Sequence, residues 1–197
     1  MIEGWIGRPG SGKTYTLTAR ALKARARGKA VFANYPINGC VTFTPDQLLD
    51  LPPGLIVIDE AHLWFSARQA MNLPPSWLAE MSQTRKNGWD LIWSAQHEAR
   101  VDSVIRHITS WLWLTQAWFK SRAGHPRLFS TSCYEPEFFR NEKRRTVKMW
   151  TPFQMSVAQQ YDTMGKIEIA RHMARKGDVY AKGGPAALPA PPTTVWS

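Results

Sequence analysis

The pattern of apolar and polar residues predicts buried strands that alternate with helices. Short, continuously apolar runs are typical of parallel strands covered on both faces, and helices carry apolar residues at a wider spacing. The predicted strands are 2–6, 30–34, 40–43, 55–58, 89–95 and 111–119, and the predicted helices are 15–27, 44–51, 74–87 and 101–107. This order of elements favours an α/β fold with a mainly parallel central sheet flanked by helices.

The pattern changes after residue 119. Two short segments at 128–133 and 144–150, separated by charged turns, predict an antiparallel hairpin at the sheet edge. Residues 156–175 predict a C-terminal helix, and the Gly- and Pro-rich stretch 176–197 predicts a flexible tail. We therefore expect a core over 1–119, an edge hairpin and helix of the same domain over 120–175, and a tail.

The first candidate chemistry lies between the first predicted strand and helix. Gly7 to Thr14 fits the P-loop pattern G-x-x-x-x-G-K-[ST] at every fixed position. Glycines let backbone N–H groups turn towards phosphate oxygens, and the helix N-terminus adds positive charge. Lys13 is predicted to reach the β- and γ-phosphates of ATP, and Thr14 to ligate Mg²⁺. The predicted nucleotide-binding residues are Gly7, Arg8, Pro9, Gly10, Ser11, Gly12, Lys13 and Thr14.

Two carboxylates and an amide follow predicted strands, at the sheet edge where ligands of open α/β sheets bind. Asp59 is predicted to hold Mg²⁺, directly or through water, and Glu60 to polarise the attacking water as general base. Gln96 is predicted to sense the γ-phosphate and orient water; alternatively, its amide caps the following helix. We interpret His62 as a packing or supporting residue rather than a base.

The third candidate group is an arginine that stabilises charge on the transferring phosphoryl group, from the same chain or from a neighbour. No arginine follows Glu60 closely enough to serve in cis. Arg85 precedes the strand that ends before Gln96, and it is predicted to project across a ring interface into the adjacent site. The alternative role of Arg85 is a surface or DNA-facing charge. The other candidate residues are Arg68, Arg100 and Arg106.

The charge balance indicates a polyanionic partner. Twenty-five Lys+Arg against 15 Asp+Glu give a net charge of +10, which favours nucleic acid, with an anionic membrane surface as the alternative. Basic clusters predict sequence-independent contacts with the DNA backbone. They comprise Arg20, Lys23, Arg25, Arg27, Lys143, Arg144, Arg145, Arg171, Arg175 and Lys176.

Other classes of site and segment are not expected. No apolar run approaches the roughly 18 residues of a membrane-spanning helix, and no signal peptide is recognised, so we expect a soluble, unprocessed protein. Two cysteines and five scattered histidines lack the spacing of a structural zinc site.

Four motifs, 7–14, 51–62, 85–92 and 95–96, together resemble the zonular occludens toxin family. That family includes the assembly ATPases of filamentous phages and belongs to the wider FtsK-HerA group of DNA-pumping ATPases. The resemblance covers residues 1–119 and implies a P-loop NTPase fold, ATP with Mg²⁺, a homo-oligomeric ring and DNA. The membrane-spanning segment of filamentous-phage members is not recognised here. Small soluble relatives package genomes into tailless phages with an internal membrane, and the length and charge suit that role.

Two functions follow as hypotheses. The first is an ATP-driven DNA translocase that packages a viral genome, in the host cytoplasm or on the virion, with a capsid or membrane-vertex protein as partner. The alternative is a peripheral assembly or secretion ATPase, and DNA-stimulated hydrolysis discriminates the two. A nucleotide kinase would need a base pocket and an arginine-rich lid, whereas Asp59 and Glu60 favour water activation. A helicase would need further motifs that do not follow.

Overall fold

The structure is a computed structural model, and it describes residues 1–66, 81, 83–84, 86–120 and 126–161. All of these belong to the first of the two units into which the chain divides, Met1–Gly165. Most of the predicted helix 74–87 lies outside the described residues, as do Arg68, Arg85 and the predicted tail.

Eight strands form one sheet within the described part of the chain. They are β1 (Ile2–Ile6), β2 (Val31–Ala33), β3 (Val41–Thr42), β4 (Gly54–Ile58), β5 (Trp89–Ala95), β6 (Trp111–Lys120), β7 (Pro126–Tyr134) and β8 (Val147–Pro152). Their order is β3-β2-β4-β5-β1-β6-β7-β8. The pairings from β3 to β6 are parallel, whereas β6 with β7 and β7 with β8 are antiparallel. The predicted parallel sheet with an antiparallel edge hairpin is confirmed.

The helices of the described residues are short apart from the first. The α-helices are α1 (Lys13–Ala26), α2 (Ser103–Ile108) and α3 (Met155–Ala158), and 3₁₀ helices span Pro45–Asp50, Ala61–Leu63, Glu98–Arg100, Pro136–Phe138 and Glu142–Arg144. At the start of the predicted helix 44–51 a capping box forms, in which Thr44 N donates to Gln47 Oε1 at 3.0 Å. Among these helices none is long and apolar enough to cross a membrane.

Packing on both faces of the parallel strands explains their continuously apolar sequences. On one face, Trp5 of β1 joins a buried cluster with Leu17 of α1 and Val57 of β4. On the other face, the fully buried Trp93 of β5 donates from Nε1 to Thr109 Oγ1 at 3.1 Å. Because β1, β4 and β5 are parallel neighbours, the residues that follow them meet at one edge of the sheet.

Only the first residues of the predicted C-terminal helix are described, and 162–175 lie outside the described residues. Within the described part a helix begins at Met155 and ends at Ala158, and Tyr161 forms an antiparallel bridge with Ile37 instead of a helical turn. The backbone of this segment also pairs with a distant loop, since Asn38 N donates to Gln160 O at 2.9 Å. Tertiary pairing has therefore overridden the local helical pattern at this point.

The second hairpin strand starts later than predicted. Residues Glu142–Arg144 form a 3₁₀ turn, and β8 begins at Val147 rather than at residue 144. The side chain of Asn141 caps this turn by accepting a hydrogen bond from Lys143 N at 3.1 Å. The local side-chain hydrogen bond competes with the strand, which explains the shift.

Candidate nucleotide site

The loop Gly7–Gly12 joins β1 to α1, and its glycines let it lie close to two strands. Gly12 caps the N-terminus of α1 with a φ of 92°, in the left-handed region that residues with a Cβ rarely adopt. The Phe129 ring of β7 occupies the space that a Cβ of Gly12 would need. A Cβ on Gly7 would lie 2.6 Å from the backbone oxygen of Thr115 in β6. Both positions therefore require glycine.

Unsatisfied polar groups of the loop fit a triphosphate. Ser11 Oγ is buried and has no hydrogen-bond partner among the described residues. Lys13 is also buried, and its Nζ, which carries three donors, donates to Arg8 O at 3.4 Å. A buried ammonium is stabilised by negative charge, which phosphate oxygens would supply. The loop thus offers a cation and a hydroxyl where the motif predicts phosphate.

Asp59 follows β4 directly, and hydrogen bonds hold its carboxylate and its backbone. Oδ2 accepts from Thr14 Oγ1 at 2.7 Å, while Oδ1 accepts from Ser94 Oγ and from Glu60 N. The side chain of Asn34 pairs with the backbone of Asp59 in both directions, at 2.8 and 2.9 Å. Elements β2, β5 and α1 therefore fix this carboxylate together.

The hydroxyl of Thr14 and the carboxylate of Asp59 form a donor set that suits Mg²⁺. Both are hard oxygen ligands, and Mg²⁺ is usually held by one or two protein ligands together with substrate phosphates and waters. Among the described residues there is no group of three or more His, Cys, Asp or Glu side chains that could hold a metal. The Thr14–Asp59 pair fits a cation that a phosphate helps to bind.

Glu60 has an unusual backbone and an unpaired carboxylate oxygen. Its φ and ψ are 50° and 49°, in the left-handed region, and its backbone N donates to Ser94 Oγ at 3.1 Å. Within the described part of the chain, Oε2 is buried and forms no hydrogen bond. Burial raises the pKa of the Glu60 carboxyl, the Asp59 carboxylate raises it further, and Lys13 and Arg100 oppose the shift. A raised pKa makes this carboxylate a better proton acceptor.

His62 lies beside the predicted base. Its Nδ1 is 3.2 Å from Glu60 Oε2, although the two atoms lack hydrogen-bond geometry. Burial lowers the pKa of the imidazole below 6.5, and the positive charges of Arg100 and Lys13 lower it further, so the ring is neutral at pH 7. The sequence suggested only a packing or supporting role, and the structure shows that the residue it contacts is Glu60.

Gln96 lies at the carboxyl edge, directly after β5, as predicted. Its Oε1 accepts a hydrogen bond from Arg100 Nη1 at 3.1 Å. The charge of Arg100 also reaches Glu60 and His62, since it lowers the pKa of both groups. The following 3₁₀ helix is capped by His97, whose side chain accepts from Ala99 N at 3.2 Å, so the amide of Gln96 does not cap it.

The structure separates the arginine candidates. Arg85 and Arg68 lie outside the described residues. Arg106 is half-buried, and its Nε donates to the backbone oxygen of Val101 at 3.1 Å. Arg100 is exposed at the site and contacts Gln96. Arg100 therefore has the position in cis that sequence reasoning did not expect of any arginine.

The chain is similar to proteins of two kinds. The family model for zonular occludens toxin (Zot) matches residues 41–116. Among solved structures, the N-terminal domain of zonular occludens toxin from Neisseria meningitidis is 16% identical, with a TM-score of 0.59 over 82% of this chain and 98% of that chain. No curated protein shows significant sequence similarity to the chain.

The second kind is the genome packaging NTPase B204 of Sulfolobus turreted icosahedral virus 2, in complex with ATP-gammaS. It is 13% identical, with a TM-score of 0.54 over 78% of this chain and 98% of that chain. A second structure, of B204, the DNA-packaging ATPase from Sulfolobus Turreted Icosahedral Virus, has the same identity, coverage and TM-score. The predicted resemblance to the zonular occludens toxin family is therefore confirmed, and the fold is that of a P-loop NTPase.

Proposed function

We propose that this chain is an ATPase that translocates DNA and acts as the motor that packages a viral genome. The observation that carries the proposal is the 2.7 Å hydrogen bond between Thr14 of the P-loop and Asp59 at the end of β4, with Glu60 as the next residue. This contact brings cation ligands, phosphate-binding loop and base to one place. Similarity to B204 and to the Zot domain supports the assignment.

The residues of the site divide the chemistry of hydrolysis. Thr14 and Asp59 would hold Mg²⁺, which neutralises charge on the phosphate oxygens when it is bound. Lys13 pairs with the β- and γ-phosphates of ATP and stabilises the charge that develops on the transferring group. Glu60 accepts a proton from the attacking water, and its buried carboxylate oxygen has no competing hydrogen bond among the described residues.

Gln96 and two arginines complete the proposed site. Gln96 orients the attacking water, and Arg100 positions the Gln96 amide through their 3.1 Å hydrogen bond. Arg85 remains our proposed arginine from a neighbouring subunit of a homo-oligomeric ring. Mixing Arg85→Ala with Lys13→Ala subunits should then restore some hydrolysis, because some interfaces pair an intact P-loop with an intact Arg85. Absence of recovery in co-assembled oligomers would reject that role.

The proposed polymer is DNA, bound through its backbone without sequence preference. The net charge of +10 supports a polyanionic partner. Within the described residues, Lys23 and Arg27 at the end of α1 and Lys143 and Arg144 in the β7–β8 connection are exposed, whereas Arg20 is paired with Glu3 at 2.9 Å. We therefore assign the backbone contacts to the exposed basic residues of these two segments.

The proposed setting follows from the same function. A packaging motor acts in the host cytoplasm or on the virion, and it needs a capsid or membrane-vertex protein to hold it at the site of genome entry. The chain is organised for this as an ATPase core over 1–119, with the edge hairpin and helix of 120–175 in the same domain and the tail 176–197 beyond.

The second candidate function is a Zot-like ATPase that acts in phage assembly or secretion as a peripheral morphogenesis factor. The match of the Zot family model to residues 41–116, which include the predicted base and Gln96, favours it. Both candidates hydrolyse ATP, so hydrolysis by itself does not separate them.

Phosphate release with and without DNA tests the packaging proposal. The purified chain with Mg²⁺ and ATP should release phosphate several-fold faster when DNA is added, because a motor couples turnover to its track. Lys13→Ala protein gives the background rate. If the protein binds DNA but its rate of hydrolysis does not change, the packaging motor is rejected in favour of the assembly ATPase.

A further inference from the structure

Two indole rings lie exposed on the strands at the far edge of the sheet from β3. Trp118 of β6 is 38% exposed and Trp150 of β8 is 50% exposed. Indoles are usually well buried because they carry a large apolar surface. Exposed rings of this size on β6 and β8, on either side of β7, mark a binding surface.

The strand register puts both rings on one face of the antiparallel strands. Trp118 lies opposite Leu128 of β7, which lies opposite Pro152 of β8, two residues from Trp150. Side chains two residues apart on a strand share a face, so Trp150 and Lys148 are on the same side as Trp118. We call Trp118, Lys148 and Trp150 the tryptophan face.

The opposite side of these strands is already occupied. Phe129 of β7 stacks on Tyr15 of α1 with ring centroids 4.6 Å apart, and Phe129 is buried. Residues 128 and 129 alternate between the two sides, so the tryptophan face points away from this contact with α1. The indoles are therefore separate from the packing that joins α1 to the hairpin.

Contacts within the tryptophan face hold the rings apart and orient them. Trp118 Nε1 donates to Ser130 Oγ at 2.8 Å, which fixes the plane of that indole. The two indole centroids are 5.9 Å apart, and their planes are inclined by 55°. The rings are therefore not stacked on each other, and part of each side chain is accessible to solvent.

A cation belongs to the same surface. Lys148 Nζ lies 4.7 Å from the Trp150 ring centroid and 6.0 Å from that of Trp118. Over residues 111–152 the sequence has eight Lys and Arg against three Glu. Protein interfaces are depleted of lysine at their centres, whereas single-stranded nucleic acid binds where stacking rings lie among positive charges.

We infer that the tryptophan face binds single-stranded DNA by stacking bases on Trp118 and Trp150, with Lys148 paired to the sugar-phosphate backbone. The inference rests on the proposed DNA-driving function and deepens it by naming the substrate class. Stacking on indoles tolerates any base, which suits a protein that moves along DNA. Duplex DNA keeps its bases stacked inside, so it uses the rings far less.

The strand that carries Trp150 also contacts the first turn of α1. Tyr15 Oη donates to Pro152 O at 3.3 Å and accepts from Gln154 N at 2.9 Å. Tyr15 follows Lys13 by two residues and Thr14 by one. The end of β8, the strand that carries Trp150, therefore contacts the residue next to the P-loop.

Fluorescence anisotropy tests the inference with a labelled oligodeoxythymidylate and a labelled duplex of equal length, without nucleotide. Trp150→Ala and Trp118→Ala should each raise the Kd for the single strand about tenfold, the loss of one stacked base. Trp150→Phe keeps an aromatic ring and should restore most of the affinity. Met149→Ala is the matched control, since Met149 is 40% exposed on the other side of the same strand.

Three results would overturn the site. The first is that Trp150→Ala and Met149→Ala bind the single strand with equal affinity. The second is that Trp150→Ala loses as much affinity for the duplex as for the single strand, and the third is that Trp150→Ala changes the oligomeric state but keeps the DNA affinity. The last result would assign the face to a second copy of the chain. Since the assay needs no ATP, a chain that binds single strands through these rings but lacks DNA-stimulated hydrolysis would refute the proposed function alone.

Discussion

The carboxyl edge of the parallel strands and the antiparallel strands β6–β8 use polar groups in opposite ways. At the first, the buried Lys13 and Asp59 are placed by backbone geometry and hydrogen bonds. At the second, Lys148 and Trp150 are exposed and contact each other through a cation–π interaction. Fixed, buried groups suit chemistry on one substrate geometry, whereas exposed rings and cations suit a polymer that changes its contacts as it moves.

Aromatic side chains of α1 and β7 connect the two regions. The Phe129 ring lies against Gly12 of the P-loop, and Tyr15 stacks on Phe129 and bonds to the end of β8. These contacts connect the P-loop to the end of β8, and a substitution at Gly12 tests how closely they are packed.

Lys13→Ala should have the largest effect on the chemical region. Removing the buried ammonium leaves the phosphates without the protein's main cation, so hydrolysis should fall at least about 100-fold and nucleotide binding should weaken. Steady-state phosphate release and nucleotide titration measure both. Lys29→Ala removes a lysine paired with Asp90 instead and should keep the wild-type rate.

Arg100→Ala should slow hydrolysis about 10-fold to 100-fold, because Gln96 loses the partner that positions its amide. It should also move the acid limb of the pH–rate profile to higher pH. Arg100 lowers the pKa of Glu60, so its removal raises that pKa, and the ionised base is then lost at higher pH as the solution is acidified. Arg100→Lys keeps the charge and should leave the acid limb unchanged. An acid limb that does not shift in Arg100→Ala would mean that Arg100 does not affect the pKa of the base.

A pair of glycine substitutions tests the contact that joins the regions. Gly12→Ala places a Cβ against the Phe129 ring at a φ of 92°, whereas Gly28→Ala meets nothing within 4 Å at a φ of 79°. Backbone strain costs each variant about 1–2 kcal/mol, and crowding should add about 1–3 kcal/mol at Gly12 alone. Thermal unfolding of both variants measures the difference. Equal destabilisation would mean that the Phe129 ring moves aside without cost.

The smallest effect is expected from one exposed charge of the β7–β8 connection. DNA affinity should fall steeply with salt, and Arg144→Ala should reduce the slope of log K against log salt by about 0.7–0.9, the share of one phosphate contact. Lys29→Ala should leave the slope unchanged. If the DNA affinity of the wild-type protein does not change with salt, binding through the DNA backbone is wrong.

The fold and the chemical residues could be predicted because backbone physics limits the sequence there. Buried parallel strands such as β4 must be continuously apolar, and the loop tolerates only glycine at Gly12, so both leave readable patterns. The position of Asp59 and Gln96 after their strands follows from the same geometry. Their roles in catalysis remain predictions.

Contacts between distant segments could not be read in the same way. Asn34 and Ser94 hold Asp59, yet nothing in a single sequence distinguishes them from other small polar residues; their position at strand ends is the one signal that points to the site. The contact of Arg100 with Gln96 depends on the turn between them, and Tyr161 left its predicted helix to pair with Ile37. Such side-chain and long-range contacts are set by tertiary packing.

Glu60→Gln tests the central claim most directly, since it preserves the shape of the side chain and removes its basicity. Nucleotide titration and single-turnover hydrolysis should be measured on the same protein with Mg²⁺. The account predicts ATP affinity within about threefold of wild type together with a loss of turnover of about 10²- to 10⁴-fold, the range for removal of a general base. Hydrolysis at the wild-type rate would contradict Glu60 as the base.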